Sequence, residues 1–365
     1  MRIADARALR ELVAACGLGP VPVTVPVPGP VPVPVPVVTR ELATLADTEG
    51  VAPLLGARLA AGELEADDAI RGPLVESHRR TALANTALAL GTEALTRPLR
   101  GAGIPVLLLK GAALLRTVYG DPGRRSMGDV DLLVPPERWR EALQVVRSTG
   151  AEAYDAPGRA VTLEHFHELH LRLPAGGVVD LHRGLVPHPL FAVDHDELLA
   201  TAREEGDGLL VPAPNALFLS LALHAAKDGF FLPLRAVIDG LALLAGGRVE
   251  AEAAADLARR WQARRATARY LGILGRLGTL PAGWAALGRE LAPRLPPAPG
   301  AYGLERPVDP MALGHRLRCR WRCARLQDGP LRPLTYNALW LQRFARDLLK
   351  SPGNRRASKR RGDES

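Results

Sequence analysis

Two short apolar runs, IPVLLL at residues 104–109 and DVDLLV at residues 129–134, are each followed by text of helical spacing, and this alternation restricts the fold more than anything else in the chain. Runs this short suit buried strands, since a helix needs about ten residues or more. GAALLRTVYG, opening at Gly111, and PPERWREALQVVRSTG, with Pro near its start and Gly150 past its end, read as the helices. The rhythm of strand, helix, strand, helix predicts an α/β core whose sheet is covered by helices. Downstream, HELHLRLPAGGVVDLHRGL alternates leucines with Glu168, His170 and Arg172, turns at Pro-Ala-Gly-Gly, and then alternates Val179 and Leu181 with Asp180 and His182. This is a hairpin with one polar face.

The flanks read as helices. Residues 39–100 carry apolar residues at three- and four-residue spacing and stop at Gly101 and Gly103, and residues 201–300 return to the same periodicity, which leaves residues 101–200 as the core. Residues 1–20 predict a short amphipathic helix. Residues 21–38 alternate Val with Pro, which fixes φ and removes donors, so an extended polyproline II linker is expected. Pro-rich text from Pro293 to Pro310 precedes a basic, partly disordered tail, assigned to residues 301–365; from Met311 onward twelve Arg and two Lys face four acidic residues, and the chain's net charge of +8 resides there. Such a tail can meet an acidic partner or RNA, Trp321 standing among arginines in RLRCRWRCAR, although a solvated end is the simpler reading.

Composition narrows the classes further. With 47% hydrophobic and 24% charged residues the chain is of ordinary globular type, and no run approaches the ~18 apolar residues of a membrane span. Cys16, Cys319 and Cys323 cannot form a disulfide framework, so a reduced, cytoplasmic protein is expected. No phosphate-binding Gly-x4-Gly-Lys loop, dinucleotide Gly-x-Gly-x-x-Gly or Gly-x-Ser-x-Gly elbow is present. His165, His167 and His170 do not put two ligands one helical turn apart, and read as strand-face histidines.

The chemistry lies in the second apolar run. Residues two apart in a strand share a face, so Asp129 and Asp131 point together while Val130 and Leu132 point into the core. Paired carboxylates repel unless a cation sits between them, and a small set of hard oxygen ligands suits Mg2+. If the second hairpin strand lies alongside, Asp180 joins them, and three carboxylates sharing two Mg2+ ions is the pattern of in-line phosphoryl displacement. Upstream, Lys110-Gly111 sits where a strand feeds a helix. Gly111 permits close backbone approach, the helix start favours an anion, and Lys110 adds a point charge, so a triphosphate would be held between this turn and the metals. Arg124 and Arg125 either clamp phosphate or coat a loop, and Ser126 either donates to phosphate or forms a turn.

Lys110-Gly111, Tyr119-Gly120, Arg124-Arg125, Gly128 to Val134 and Asp180-Leu181-His182, taken in that order, resemble the uncharacterised nucleotidyltransferase family of the DNA polymerase β superfamily. The resemblance runs over roughly residues 40–250 and implies a polymerase β-like nucleotidyltransferase core with a small mixed sheet, flanked by helical N- and C-terminal lobes. It implies that Asp129 and Asp131 bind both Mg2+ ions and that Asp180 completes the site. The substrate would be a nucleoside triphosphate, attacked at its α-phosphate by a hydroxyl of a peptide, protein or small molecule, with peptide natural-product biosynthesis as a family context. His182 and His224 would stand on the acceptor side; His224, Asp228, Arg235 and Asp239 also read as packing or salt-bridge residues of the helical lobe. Two departures are the Lys-Gly turn in place of the superfamily's Gly-Ser, and Asp rather than Glu at position 180. An Asp-x-Asp glycosyltransferase-like enzyme and an inactive peptide-binding scaffold are the alternatives. The leading reading predicts that Asp129→Ala or Asp131→Ala abolishes metal-dependent pyrophosphate release with the fold intact.

Overall fold

The computed structural model describes residues 6–19, 35–153, 167–295 and 313–328, with positions 334, 335 and 338. Helix α1 (Ala6–Ala15) buries Leu9, Leu12 and Val13, the amphipathic stripe expected of residues 1–20. Most of the Val-Pro stretch lies outside the described residues. Its end joins the body, where Val38 donates its N–H to Glu65 O at 2.8 Å. Helix α2 (Arg40–Glu49) starts at Thr39, whose side chain accepts from the Leu42 N–H, and stops at Gly50 in the left-handed region. Helix α3 (Ala52–Ala60) lies against the long α4 (Asp68–Gly101). Gly56 makes that approach possible, because a methyl there would overlap the Leu74 carbonyl.

The core follows the expected rhythm: β1 (Leu107–Leu108), α5 (Lys110–Leu114) running into a π-helical turn at Leu115–Tyr119, β2 (Val130–Leu133), and α6 (Trp139–Ser148) after a 3-10 turn. Then come β3 (Glu152–Ala153), the hairpin β4 (Glu168–Arg172) and β5 (Val178–His182), α7 (His195–Ala200), β6 (Arg203–Glu204) and β7 (Leu210–Val211). The strands form one mixed sheet in the order β3-β4-β5-β2-β1-β7-β6. β5 runs parallel to β2 and β7 parallel to β1, while the other neighbours are antiparallel. Because Leu107 pairs with Leu210, the sheet extends past the residue-200 boundary expected from periodicity. Two-residue strands carry too little alternation to be read in sequence.

The helical lobe comprises α8 (Pro214–Lys227), α9 (Leu234–Ala245), α10 (Ala251–Arg260), α11 (Arg264–Leu277) and α12 (Trp284–Leu291). Part of the basic tail is folded onto it. Helix α13 (Leu313–Ala324) packs on α8, Cys323 and Leu326 are buried, and Asp328 accepts from the N–H groups of Arg264 and Arg265 at the start of α11. Trp321 remains exposed. Among the described residues no helix is long and apolar enough to cross a membrane.

Candidate active site

Three adjacent strands supply the site, and their register decides who meets whom. Val130 and Leu132 on β2, Val179 and Leu181 on β5, and Leu169 and Leu171 on β4 are buried. The residues of opposite phase face the other way, in cross-strand rows: His170 beside Asp180 beside Asp131, and Glu168 beside His182 beside Leu133. Asp180 is therefore the direct neighbour of Asp131, the arrangement that the sequence reading made conditional on strand order. Asp129 lies two residues before Asp131, just ahead of the strand.

Asp131 and Asp180 are buried whereas Asp129 is exposed, and each buried acid has partners. The Leu109 N–H donates to the Asp131 carbonyl at 2.9 Å, which brings the following residue, Lys110, over the strand. Lys110 Nζ donates to Asp131 Oδ1 at 2.5 Å, and His182 Nε2 lies 2.9 Å from the same oxygen. Burial alone would raise the Asp131 carboxyl, but the His182 hydrogen bond and the Lys110 ammonium outweigh it and hold the acid well below the usual carboxylate range. Asp180 Oδ1 lies 2.6 Å from His170 Nδ1. The Asp129 carboxyl shifts upward, first through the protein mass around it and then through the negative charges of Asp131 and Asp180. Three carboxylates thus feel one another on one face. Ligand atoms of Asp131, Asp180 and His182 lie within 4.8 Å of each other, and the two carboxylates among them suit a hard divalent cation.

Lys110 opens α5 with φ of 42°, a left-handed value that a non-glycine residue adopts at a cost of about 1–2 kcal/mol. Its ion pair with Asp131 offsets this. Gly111 is needed beside it, because a methyl there would overlap the Arg125 guanidinium and stand 3.0 Å from Met127 Sδ. Gly111→Ala is expected to lower stability by about 1–3 kcal/mol, read as a shift in the urea midpoint. An unchanged midpoint would show that the turn can relax.

The loop from Gly120 to Gly128 is held on both sides. From α4, His78 Nε2 lies 2.9 Å from Asp121 Oδ2, and the buried Asn85 Nδ2 donates to the carbonyls of Pro122 and Arg125 at 2.6 and 2.7 Å. From α9, the buried Asp239 takes Arg125 side-on, with Nε 2.9 Å from Oδ1 and Nη2 2.8 Å from Oδ2, and accepts from the Tyr119 hydroxyl at 2.8 Å. Arg125, a candidate phosphate clamp in sequence, is therefore engaged with a buried acid. Ser126 Oγ accepts from Arg235 Nη1 at 3.1 Å, and Arg124, with 39% of its side chain exposed, stands 3.7 Å from Asp121. His182, expected on the acceptor side, is 1% exposed and serves Asp131 instead. His224 on α8 lies 3.4 Å from Asp228, and burial followed by the charges of Lys110 and Lys227 pushes its imidazole well below the ordinary histidine value.

Beside this cluster, Glu168 Oε2 lies 3.1 Å from His167 Nε2, 3.7 Å from His182 Nδ1 and 3.9 Å from Lys227 Nζ. His165, the other histidine of that stretch, lies outside the described residues. Burial lowers the His167 imidazole to about 4. A histidine disfavoured as a cation in the fold binds its proton more readily when unfolded, so stability should fall as pH drops from about 6.5 to about 4, by on the order of 3 kcal/mol. His167→Gln should flatten that segment of a urea-midpoint curve measured in chelator. An unaltered slope in the variant would assign the effect to other groups.

Sequence comparison supplies the family. The pattern of the uncharacterised nucleotidyltransferase family matches residues 37–278. The chain belongs to that family. No curated protein matches this nucleotidyltransferase chain. Among solved structures it is similar to the solution structure of the antibiotic-resistance factor ANT(2'')-Ia, at 14% identity and a TM-score of 0.34, over 47% of this chain and 90% of that one.

Proposed function

We propose that this nucleotidyltransferase moves a nucleoside monophosphate from a nucleoside triphosphate to a hydroxyl acceptor, using two Mg2+ ions held by Asp129, Asp131 and Asp180. The observation that carries the reading is the parallel register of β2 and β5, which sets Asp131 beside Asp180, with Asp129 just ahead of β2 and within electrostatic reach of both. When bound, the ions would supply Lewis-acid polarisation of the α-phosphate and charge neutralisation at the attacking and leaving oxygens. The protein's own groups do the rest. Lys110, at the start of α5, is paired with Asp131 and is the cation suited to the triphosphate, and Arg124 is the exposed cation of the loop from Gly120 to Gly128. Arg125 and Ser126 act on the nucleotide by fixing the loop through Asp239 and Arg235.

The acceptor oxygen forms a bond to the α-phosphorus as the bond to the pyrophosphate oxygen breaks, and Asp180, which pairs with His170, takes the hydroxyl proton. His182 orients Asp131, and His224, whose imidazole is pushed by burial well below the ordinary histidine value, is assigned to the acceptor side. A peptide, protein or small-molecule hydroxyl fits this chemistry, and a peptide natural product is the context the family suggests. Incubation of the protein with Mg2+, each α-labelled triphosphate and a cell extract should transfer label and release pyrophosphate, and Asp129→Asn should do neither. Equal transfer by the variant, or transfer from nucleotide sugars alone, would contradict the proposal.

A further inference from the structure

We propose that His167, Glu168 and His182 form a binding site for a divalent transition metal of the zinc class, adjoining the acidic cluster and sharing His182 with its Asp131. Nothing in the transfer chemistry requires this site. One ring nitrogen of His167, one carboxylate oxygen of Glu168 and one ring nitrogen of His182 lie within 4.8 Å of one another. Both His167 Nε2 and His182 Nδ1 are buried and have no hydrogen-bond partner among the described residues. Although His167 Nε2 is 3.1 Å from Glu168, it is out of line for a hydrogen bond.

The geometry at His182 carries the inference, because its Nδ1 is buried and orphaned within the three-residue group. Its Nε2 lies 2.9 Å from Asp131 Oδ1, an oxygen that already accepts from the Lys110 ammonium and has no proton to give. With Nε2 turned to Asp131, Nδ1 is the ring atom left to face Glu168, and it has no hydrogen-bond partner among the described residues. That Nδ1 stands 3.7 Å from the Glu168 carboxylate, and His182 is 1% exposed. At that separation the two groups make no hydrogen bond, and a metal ion between them would satisfy nitrogen and carboxylate together. A ligating histidine whose other N–H is given to a carboxylate is the usual outer arrangement of such sites, and Asp131 fills that part. Two imidazoles and one carboxylate favour zinc or its first-row neighbours over Mg2+, and leave a position open to water. His167 and Glu168 are only half-buried and can rotate the short distance needed to close on an ion. Lys227, 3.9 Å from Glu168, is the cation that the metal would displace.

Cobalt tests the site, because it reports nitrogen ligation as visible absorption and needs no nucleotide. Full-length protein freed of metal by chelator should bind one equivalent of Co2+ in millimolar Mg2+, with a visible band that persists in Asp129→Asn and disappears in His167→Gln. Contact-shifted imidazole signals from two histidines of the wild-type protein give the same answer should the His167 variant not fold. Absence of the band, its loss on adding Mg2+, its persistence in a folded His167→Gln, or shifts from fewer than two histidines would overturn the proposal. None of these outcomes bears on nucleotidyl transfer, which is assayed with Asp129→Asn.

Discussion

Asp131→Ala should lose turnover and about 3–5 kcal/mol of stability together, whereas Asp129→Ala should lose turnover alone. Asp131 is 5% exposed and is the shared acceptor of Lys110 Nζ at 2.5 Å and His182 Nε2 at 2.9 Å. Truncating it strands a half-buried ammonium and leaves a buried imidazole without its acceptor, the circumstance in which removing one member of a pair is most costly. Asp129 is exposed, and exposed positions outside such networks change stability by no more than about 0.5 kcal/mol. The two alanines, which the sequence alone does not separate, are thus expected to differ in stability. The depressed Asp131 carboxyl adds a pH dependence. Its contribution is present above the ordinary carboxylate range and is lost as pH falls below it, so the stability gap between wild type and Asp131→Ala should shrink in acid. Urea midpoints paired with pyrophosphate release decide the matter, and equal midpoints for Asp131→Ala and wild type would contradict the account.

The second large effect lies away from the acids. Asp239→Ala is expected to cost about 3–5 kcal/mol, because the Arg125 guanidinium, 11% exposed, loses its partner. Tyr119 loses its hydroxyl acceptor in the same step. The loop from Gly120 to Gly128 should then loosen, and activity should fall although no reacting group has been touched. Replacing both members, Arg125→Met with Asp239→Leu, removes the stranded charge and should recover part of the loss, so the double variant should be more stable than the sum of the two single costs implies. A simple additive outcome would show that the pair contributes nothing by its pairing.

The core and the acids were legible because short-range pattern carries them. Two apolar runs with helices between and after them gave β1, α5, β2 and α6, and period-two alternation gave the β4–β5 hairpin with its polar face. Asp129, Asp131 and Asp180 stood out because carboxylates are costly in apolar strands. What sequence missed depends on separations that no local pattern encodes. Asp239 meets Arg125 across 114 residues, Asn85 meets the Pro122 carbonyl across 37, and β7 pairs with β1 through a two-residue strand. His170 and Glu168 had a usable signal. The four-residue Pro-Ala-Gly-Gly turn fixes a register that pairs them with Asp180 and His182. The docked α13 was masked by the arginines around it, since Cys323 and Leu326 are few among many charges.

The most direct test of the central claim, that Asp129, Asp131 and Asp180 hold divalent metal for a triphosphate, is calorimetric titration of a nucleoside triphosphate that cannot be cleaved between its α- and β-phosphates. With Mg2+ present, wild-type protein should bind it at least about tenfold more tightly than in chelator, a gain of about 1.4 kcal/mol, and Asp129→Asn should lose that gain while still binding in chelator as wild type does. Affinity that is the same with and without Mg2+, or an Mg2+ gain that survives in Asp129→Asn, would contradict the account.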